Sequence, residues 1–340
     1  MRKIFLLLVA FAMTLATHAD NKIDRKAVVT RHNPHITSID SLASLTVGNG
    51  GFAFTVDATG LQTFPEKYRN GVPLGTMSDW GWHTFPSEKS YKFEETLVNH
   101  DFHRGHDEYY AAQFRTPGRQ QEASNYFRQN PHRIHLGNIG LNLADPNLVT
   151  NIDETLDLWT GKVESRFKYG EQNYLVKTVC DPDKDVVASH IESDGEIEIV
   201  LRFPYPTGKH SDDACDWNLE HRHTTELYKE GSHATIKRQL DNCTYYINVE
   251  FSDGARISKK GAHTIVISTK KGSLDFYAGF NSKTPMGFYR SNRPFTDFAM
   301  ASAGRWREYW NEGGFIDFGN VKDSRAKELE RRVILSQYLM

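Results

Sequence analysis

The sequence predicts a mainly β protein, a sandwich whose chain turns helical near its end. Three observations carry that expectation. Between residues 163 and 280 apolar side chains recur at every second position, the spacing of antiparallel strands buried on one face. Turn signals such as Asp253-Gly254, Lys260-Gly261 and Lys271-Gly272 punctuate the runs. After Pro294 the apolar spacing lengthens to that of a helix.

Taken in order, the chain opens with Arg2 and Lys3, an apolar run over residues 4–15, and the small-residue site Thr17-His18-Ala19 before Asp20. That is the layout of an export signal cleaved after Ala19. The run falls short of the roughly 20 residues that span a bilayer, so the expected product is exported, periplasmic or extracellular, and free of the membrane. Residues 45–47 and 52–56 read as strands around Gly48-Asn49-Gly50-Gly51, a hairpin turn without the Lys-Ser/Thr pair of a phosphate loop. An aromatic stretch at 62–86 and a His-rich one at 99–107 follow, and residues 119–129 read as a short helix stopped by Asn130-Pro131. Loops this long inside a β domain are commonly functional or covered by a neighbour.

Strand spacing returns at Ile139, Leu141 and Leu143, then at residues 163–169, 174–180, 197–203, 234–240, 245–251, 255–259, 264–269 and 274–280. Phe298, Ser302, Trp306, Tyr309 and Trp310 fit a helix that starts at Thr296 or Asp297 and stops at Gly313-Gly314. Asp323 then caps a second helix. Its Ala326, Leu329, Val333, Leu335, Tyr338 and Leu339 populate more than one face, and such a helix must be buried by other elements. The expectation is that the chain is the front part of a longer protein.

Composition narrows the function classes. A net charge of −2 leaves no basic footprint for nucleic acid. Cys180, Cys215 and Cys243 are too few and too far apart for a disulfide framework and read as small buried hydrophobes. His100, His103, His106 and Asp107 offer ligand-type atoms, as do His221 and His223, which are expected to point to the same side of a strand. Such spacings arise by chance among 15 histidines, so no metal or cofactor is expected. No hydrolytic triad stands out.

The best chemical candidate is Trp80-Gly81-Trp82-His83-Thr84-Phe85-Pro86. Sugars present apolar C–H faces edged by hydroxyls, so their sites combine flat aromatic platforms with directional polar groups. Trp80, Trp82 and His83, with Asp79 beside them, supply both, and they are the predicted substrate-binding residues. Trp217 with Asp216, His221 and Arg222 forms a second cluster of the same type. Closure of a sandwich end by these tryptophans is the competing use.

Several stretches resemble exported bacterial proteins related to glycoside hydrolase family 65. They are Val47-Gly48-Asn49-Gly50-Gly51-Phe52-Ala53-Phe54, Gly60-Leu61-Gln62-Thr63-Phe64-Pro65, Pro73-Leu74-Gly75-Thr76, Pro131-His132-Arg133, Leu156-Asp157-Leu158-Trp159-Thr160-Gly161, Phe203-Pro204-Tyr205-Pro206 and residues 323–339. The resemblance implies a galactose-mutarotase-like β super-sandwich, a linker helix and an (α/α)6 barrel. Read so, residues 1–19 are the signal, 20–290 the sandwich, 291–322 the linker helix region and 323–340 the first helix of a truncated barrel. In the family the general-acid glutamate lies in the barrel, so no catalytic residue is assigned here. The family divides between phosphorylases and hydrolases; export favours hydrolysis of an α-glucoside, because a sugar phosphate made outside the cytoplasm is wasted. The implied partners are a carbohydrate of α-glucoside type and the chain's own missing barrel. A stand-alone carbohydrate-binding sandwich is the alternative, and a sugar epimerase is a third class that needs a carboxylate and a histidine facing one cleft.

Overall fold

The computed structural model describes residues 23–103, 105–210, 212–283 and 293–340; the expected signal, residues 1–19, lies outside them. The fold is mainly β. Nine antiparallel strands form the large sheet, in the order His35–Ile36, Val149–Asp157, Lys162–Tyr169, Gln172–Cys180, Val186–Ser193, Ser273–Asn281, Cys243–Phe251, His233–Leu240 and His223–Glu230. A second sheet runs Arg256–Lys259, Thr264–Thr269, Ile197–Arg202 and Asn138–Leu141, and a third joins Leu45–Gly48, Phe52–Val56 and Thr76–Ser78.

Their inner faces share one core. Val163 and Phe167, Tyr245 and Ile247, Ile199 and Leu201, and Phe52 and Phe54 all belong to it. These are the period-two positions of the sequence, so burial of alternate side chains sets both register and layer order.

Helix α1 (Arg25–Thr30) precedes the sandwich, helix α2 (Arg119–Gln129) lies in the long insertion, and helices α3 (Phe295–Asn311) and α4 (Ala326–Leu339) follow the last strand. Helix α3 covers the outer face of the large sheet. Phe295 and Phe298 pack on Val179, Ala188 and Tyr277, and the Phe298 and Tyr277 rings stack with centroids 4.7 Å apart. The turn after Asp157 seats the same helix: Thr160 O accepts from Ser302 Oγ at 2.9 Å, and Leu158 O from Trp310 Nε1 at 2.7 Å. Gly161 belongs there for a steric reason. Its φ is +66°, and a Cβ would fall 2.0 Å from Trp306 Nε1.

Helix α4 is buried on one face and exposed on another. Its apolar residues were expected to need later chain to cover them, yet Ala326, Glu330, Ile334 and Tyr338, one stripe at i, i+4 spacing, are buried by the chain itself. Tyr338 stacks on Trp306 with centroids 4.3 Å apart and donates its hydroxyl to Thr46 O at 3.0 Å. Leu329, Leu339 and Met340 remain exposed.

One core group is costly. Glu154, 1% exposed, has no hydrogen-bond partner for either carboxylate oxygen among the described residues. Burial, and next the charge of Asp57, push its pKa well above the usual 4.5; burial likewise lifts Asp57 to about 6 against hydrogen bonds from Thr59 and Phe64. An acid whose folded pKa exceeds its unfolded value takes up a proton on folding, so its contribution is intact below pH 4.5 and is lost as pH rises towards the folded value. Glu154→Leu is therefore expected to stabilise the protein by roughly 1–3 kcal/mol at pH 8. Urea unfolding at pH 5 and pH 8 checks this; a variant no more stable than the parent at pH 8 would contradict it.

Candidate functional site

The aromatic loop folds as a two-residue ribbon in which Trp82 pairs with Arg133 and His83 with His132. Neighbouring residues of a strand face opposite ways, and the two divide accordingly. Trp82 is 45% exposed. Its Nε1 donates to Asp79 O at 2.9 Å, and the Arg133 guanidinium sits 4.6 Å from its ring centroid while donating to Ser78 O at 2.7 Å. The indole is thus held in orientation at the surface, with a cation stacked on it.

The other two expected residues sit differently. Trp80 packs against the core, with its ring 6.2 Å from that of Tyr245, and gives its Nε1–H to Asp185 Oδ2 at 2.7 Å, an oxygen that Ser78 Oγ also reaches at 2.6 Å. His83 turns inward, its side chain 1% exposed. Its Nε2 lies 3.0 Å from Asp241 Oδ2 and its Nδ1 lies 3.1 Å from His132 Nε2. Tyr205 donates its hydroxyl to Asp241 Oδ2 at 2.5 Å and accepts from Arg222 Nη2 at 2.9 Å. Burial, then Asp241, pushes the Tyr205 pKa up to about 12. Burial and the neighbouring His132 charge work against a proton on His83, and burial does the same for His132.

Two depressions flank the ribbon. One, of about 540 Å³, runs from Asn49, Asp79 and Arg133 to Trp306, Tyr309 and Tyr338. The other, of about 530 Å³, is lined by Trp82, His83, Phe85, Tyr126, Asn242 and Thr244. Trp82 edges the second, and its two fixing partners, Asp79 and Arg133, line the first.

The remaining candidates do not converge on this place. Trp217 is half-buried, its Nε1 3.3 Å from Asp213 Oδ2, its ring edge-on to His135, and Arg202 stacked on it. His221 and His223 do not share a strand side: Glu220–Arg222 is a 3₁₀ turn that leaves His221 exposed, whereas His223 is buried with its ring 3.6 Å from that of His263. His100 and His106 belong to an exposed hairpin, where His100 meets Tyr110 edge-on and His106 stacks on Phe102. Among the described residues no group of three or more His, Cys, Asp or Glu is placed to hold a metal ion. Arg133, His132, Asp241 and Tyr205 are the site residues that motif reading did not assign, and Arg222, expected beside Trp217, instead meets Tyr205 and Asp241. Three of them, His132, Arg133 and Tyr205, lie in stretches that carried the family resemblance.

Residues 108–276 match the family profile described as Glycosyl hydrolase family 65, N-terminal domain. The sandwich is a family 65-type N-terminal domain. Among solved structures, the fold is similar to a provisionally assigned kojibiose phosphorylase from the human microbiome, at 10% identity and a TM-score of 0.50 over 94% of this chain. This chain spans 40% of that protein's length. A GH92 alpha-mannosidase from Bacteroides thetaiotaomicron in complex with mannoimidazole is a weaker likeness, with 8% identity and a TM-score of 0.37 over 91% of this chain and 39% of that one. No curated protein matches the chain. The family profile covers much of the sandwich and ends before helices α3 and α4.

Proposed function

We propose that this chain is the non-catalytic N-terminal part of an exported glycoside hydrolase that cleaves an α-glucoside with water. The sandwich supports a helical barrel and presents the Trp82 ribbon to the sugar. The family profile match over residues 108–276 is the observation that carries this reading. The phosphorylase among the similar structures raises phosphate as the competing nucleophile; the export signal read at residues 1–19 is the reason for choosing water. The deciding experiment expresses the gene with whatever coding sequence follows the Met340 codon and analyses products from α-glucosides with and without inorganic phosphate. Free glucose formed without phosphate is the expected result, and a sugar phosphate formed only with it would overturn the choice.

The ribbon's part is tested on this chain. Trp82 offers an oriented aromatic face, and Trp82→Ala is expected to weaken binding of an α-glucoside about tenfold, or about 1.4 kcal/mol, by calorimetry. Unchanged affinity would remove Trp82 from the site. A second reading, a stand-alone carbohydrate-binding sandwich, is favoured by one observation: helix α4 buries its Ile334 and Tyr338 stripe without any further chain. Sugar binding by residues 20–340 alone, at an affinity unchanged when the following chain is present, would select it.

A further inference from the structure

The geometry points to one proton shared between His83 and His132, which closes the ribbon that carries Trp82. The argument is a count of hydrogens. His132 Nδ1 lies 2.8 Å from Gln129 O, which can only accept, so that nitrogen carries a hydrogen. The contact of His132 Nε2 with His83 Nδ1, at 3.1 Å, needs one hydrogen, and that of His83 Nε2 with Asp241 Oδ2, at 3.0 Å, needs another. The hydroxyl hydrogen of Tyr205 cannot serve here, because it already points to Asp241 from an oxygen that accepts from Arg222.

Three contacts therefore need three hydrogens, and two neutral imidazoles carry two. With no additional proton, two lone pairs face each other somewhere along the chain. With two additional protons, two N–H groups collide between the rings. One additional proton satisfies every contact. It resides on either imidazole and crosses the contact between the rings without changing the count, and the Asp241 carboxylate balances its charge. Burial works against a proton on either ring, whereas the Asp241 hydrogen bond and charge favour one on His83, and repulsion from His132 disfavours charging both rings.

The surroundings agree with one positive charge rather than two. Asp241, Arg222 and Tyr205 face His83, with Arg222 Nη2 3.7 Å from Asp241 Oδ1. His223 lies behind Tyr205, and burial and the Arg238 charge hold its pKa down at about 3, so it is uncharged. On the other side Phe85 packs at 4.6 Å on His132 and 5.1 Å on His83, and Tyr126 and Cys243 line the same depression. The cluster joins four separate parts of the chain to the ribbon. Loss of the proton breaks one contact of the clamp directly beneath Trp82, so the ribbon is ordered below that titration step and loosened above it.

The effect on sugar rests on the reading of Trp82 given above; the proton count does not, and the test separates them. Nitrogen-15 spectra of the histidine rings in this chain, without sugar, are followed from pH 5 to pH 9. The expected result is one proton on the pair at pH 6, released in a single step to which both rings respond with the same midpoint. Across that step, hydrogen exchange of the Trp82 and Ile134 amides, corrected for its intrinsic pH dependence, is expected to accelerate about tenfold. Asp241→Asn removes the carboxylate that balances the extra charge, so it is expected to lower the midpoint of the shared step and to move the acceleration of exchange with it. Two neutral rings at pH 6, or separate midpoints for the two rings, would overturn the proposal. A shared step with no sugar binding at any pH would leave the shared proton standing and remove only the reading of Trp82.

Discussion

Replacing Glu330 by Ala is expected to lower the unfolding free energy by about 2–4 kcal/mol, because it strips a buried carboxylate from the buried His32, the Phe318 N–H and the partly exposed Arg31. Glu330 lies on helix α4 and is 2% exposed. Its Oε1 accepts from Arg31 Nε at 2.8 Å and contacts His32 Nε2 at 2.6 Å; its Oε2 accepts from Arg31 Nη2 at 2.8 Å and Phe318 N at 2.5 Å. Arg31 keeps Asp317 after the substitution, at 2.6 Å, but buried His32 and the Phe318 N–H lose their acceptor. Burial alone would raise the Glu330 pKa, yet the Phe318 N–H, His32 and Arg31 together hold it below 4.5. A depressed acid contributes stability that is present above its unfolded pKa and lost as pH falls through the folded one. The gap between parent and variant should therefore be widest near pH 7 and narrow below about pH 4. Urea unfolding at both values measures it, and a loss under 1 kcal/mol at pH 7 would show that helix α4 does not depend on this clamp.

Much of the sandwich was legible because its strands are wet on one face. Val163, Ser165 and Phe167, or Tyr245, Ile247 and Val249, alternate with polar residues and are buried as the alternation requires. Val186–Ser193 was not legible, since helix α3 covers its outer side and Val187, Ala188 and Ser189 are buried in succession. His223–Glu230 was missed for the opposite reason: it is an edge strand whose second half is largely exposed and polar. At the site, Trp82 was legible as a surface aromatic, and strand alternation alone argues that His83 faces the other way. Asp241 was not legible, because it meets His83 across 158 residues of sequence. Helix α4 was legible in part: Thr46 and Trp306, earlier in the chain, meet its Tyr338, while Leu329 and Leu339 on its other side stay exposed.

Trp310→Ala is expected to cost about 3–5 kcal/mol and to lower the whole unfolding transition rather than melt one end of the chain. The side chain is 2% exposed, in the same core cluster as Leu158 and Val163 of the sandwich and Ile334 and Tyr338 of helix α4. Its ring meets Trp306, Tyr309 and Phe315, its Nε1–H satisfies Leu158 O at 2.7 Å, and its own carbonyl accepts from Arg25 Nη1 at 2.9 Å. Truncation opens a cavity at the junction of sandwich, α1 and both late helices and leaves the buried Leu158 carbonyl unpaired. Trp310→Phe keeps most of the ring volume and should cost less, about 1–2 kcal/mol, mainly for that carbonyl. Because one apolar cluster runs through all these parts, far-ultraviolet dichroism and tryptophan fluorescence should report the same midpoint in parent and variant, both shifted together. A variant whose helices melt first while the sheets keep the parental midpoint would show that the late helices are an appendage, and that any sugar-binding role must be sought in the sandwich alone.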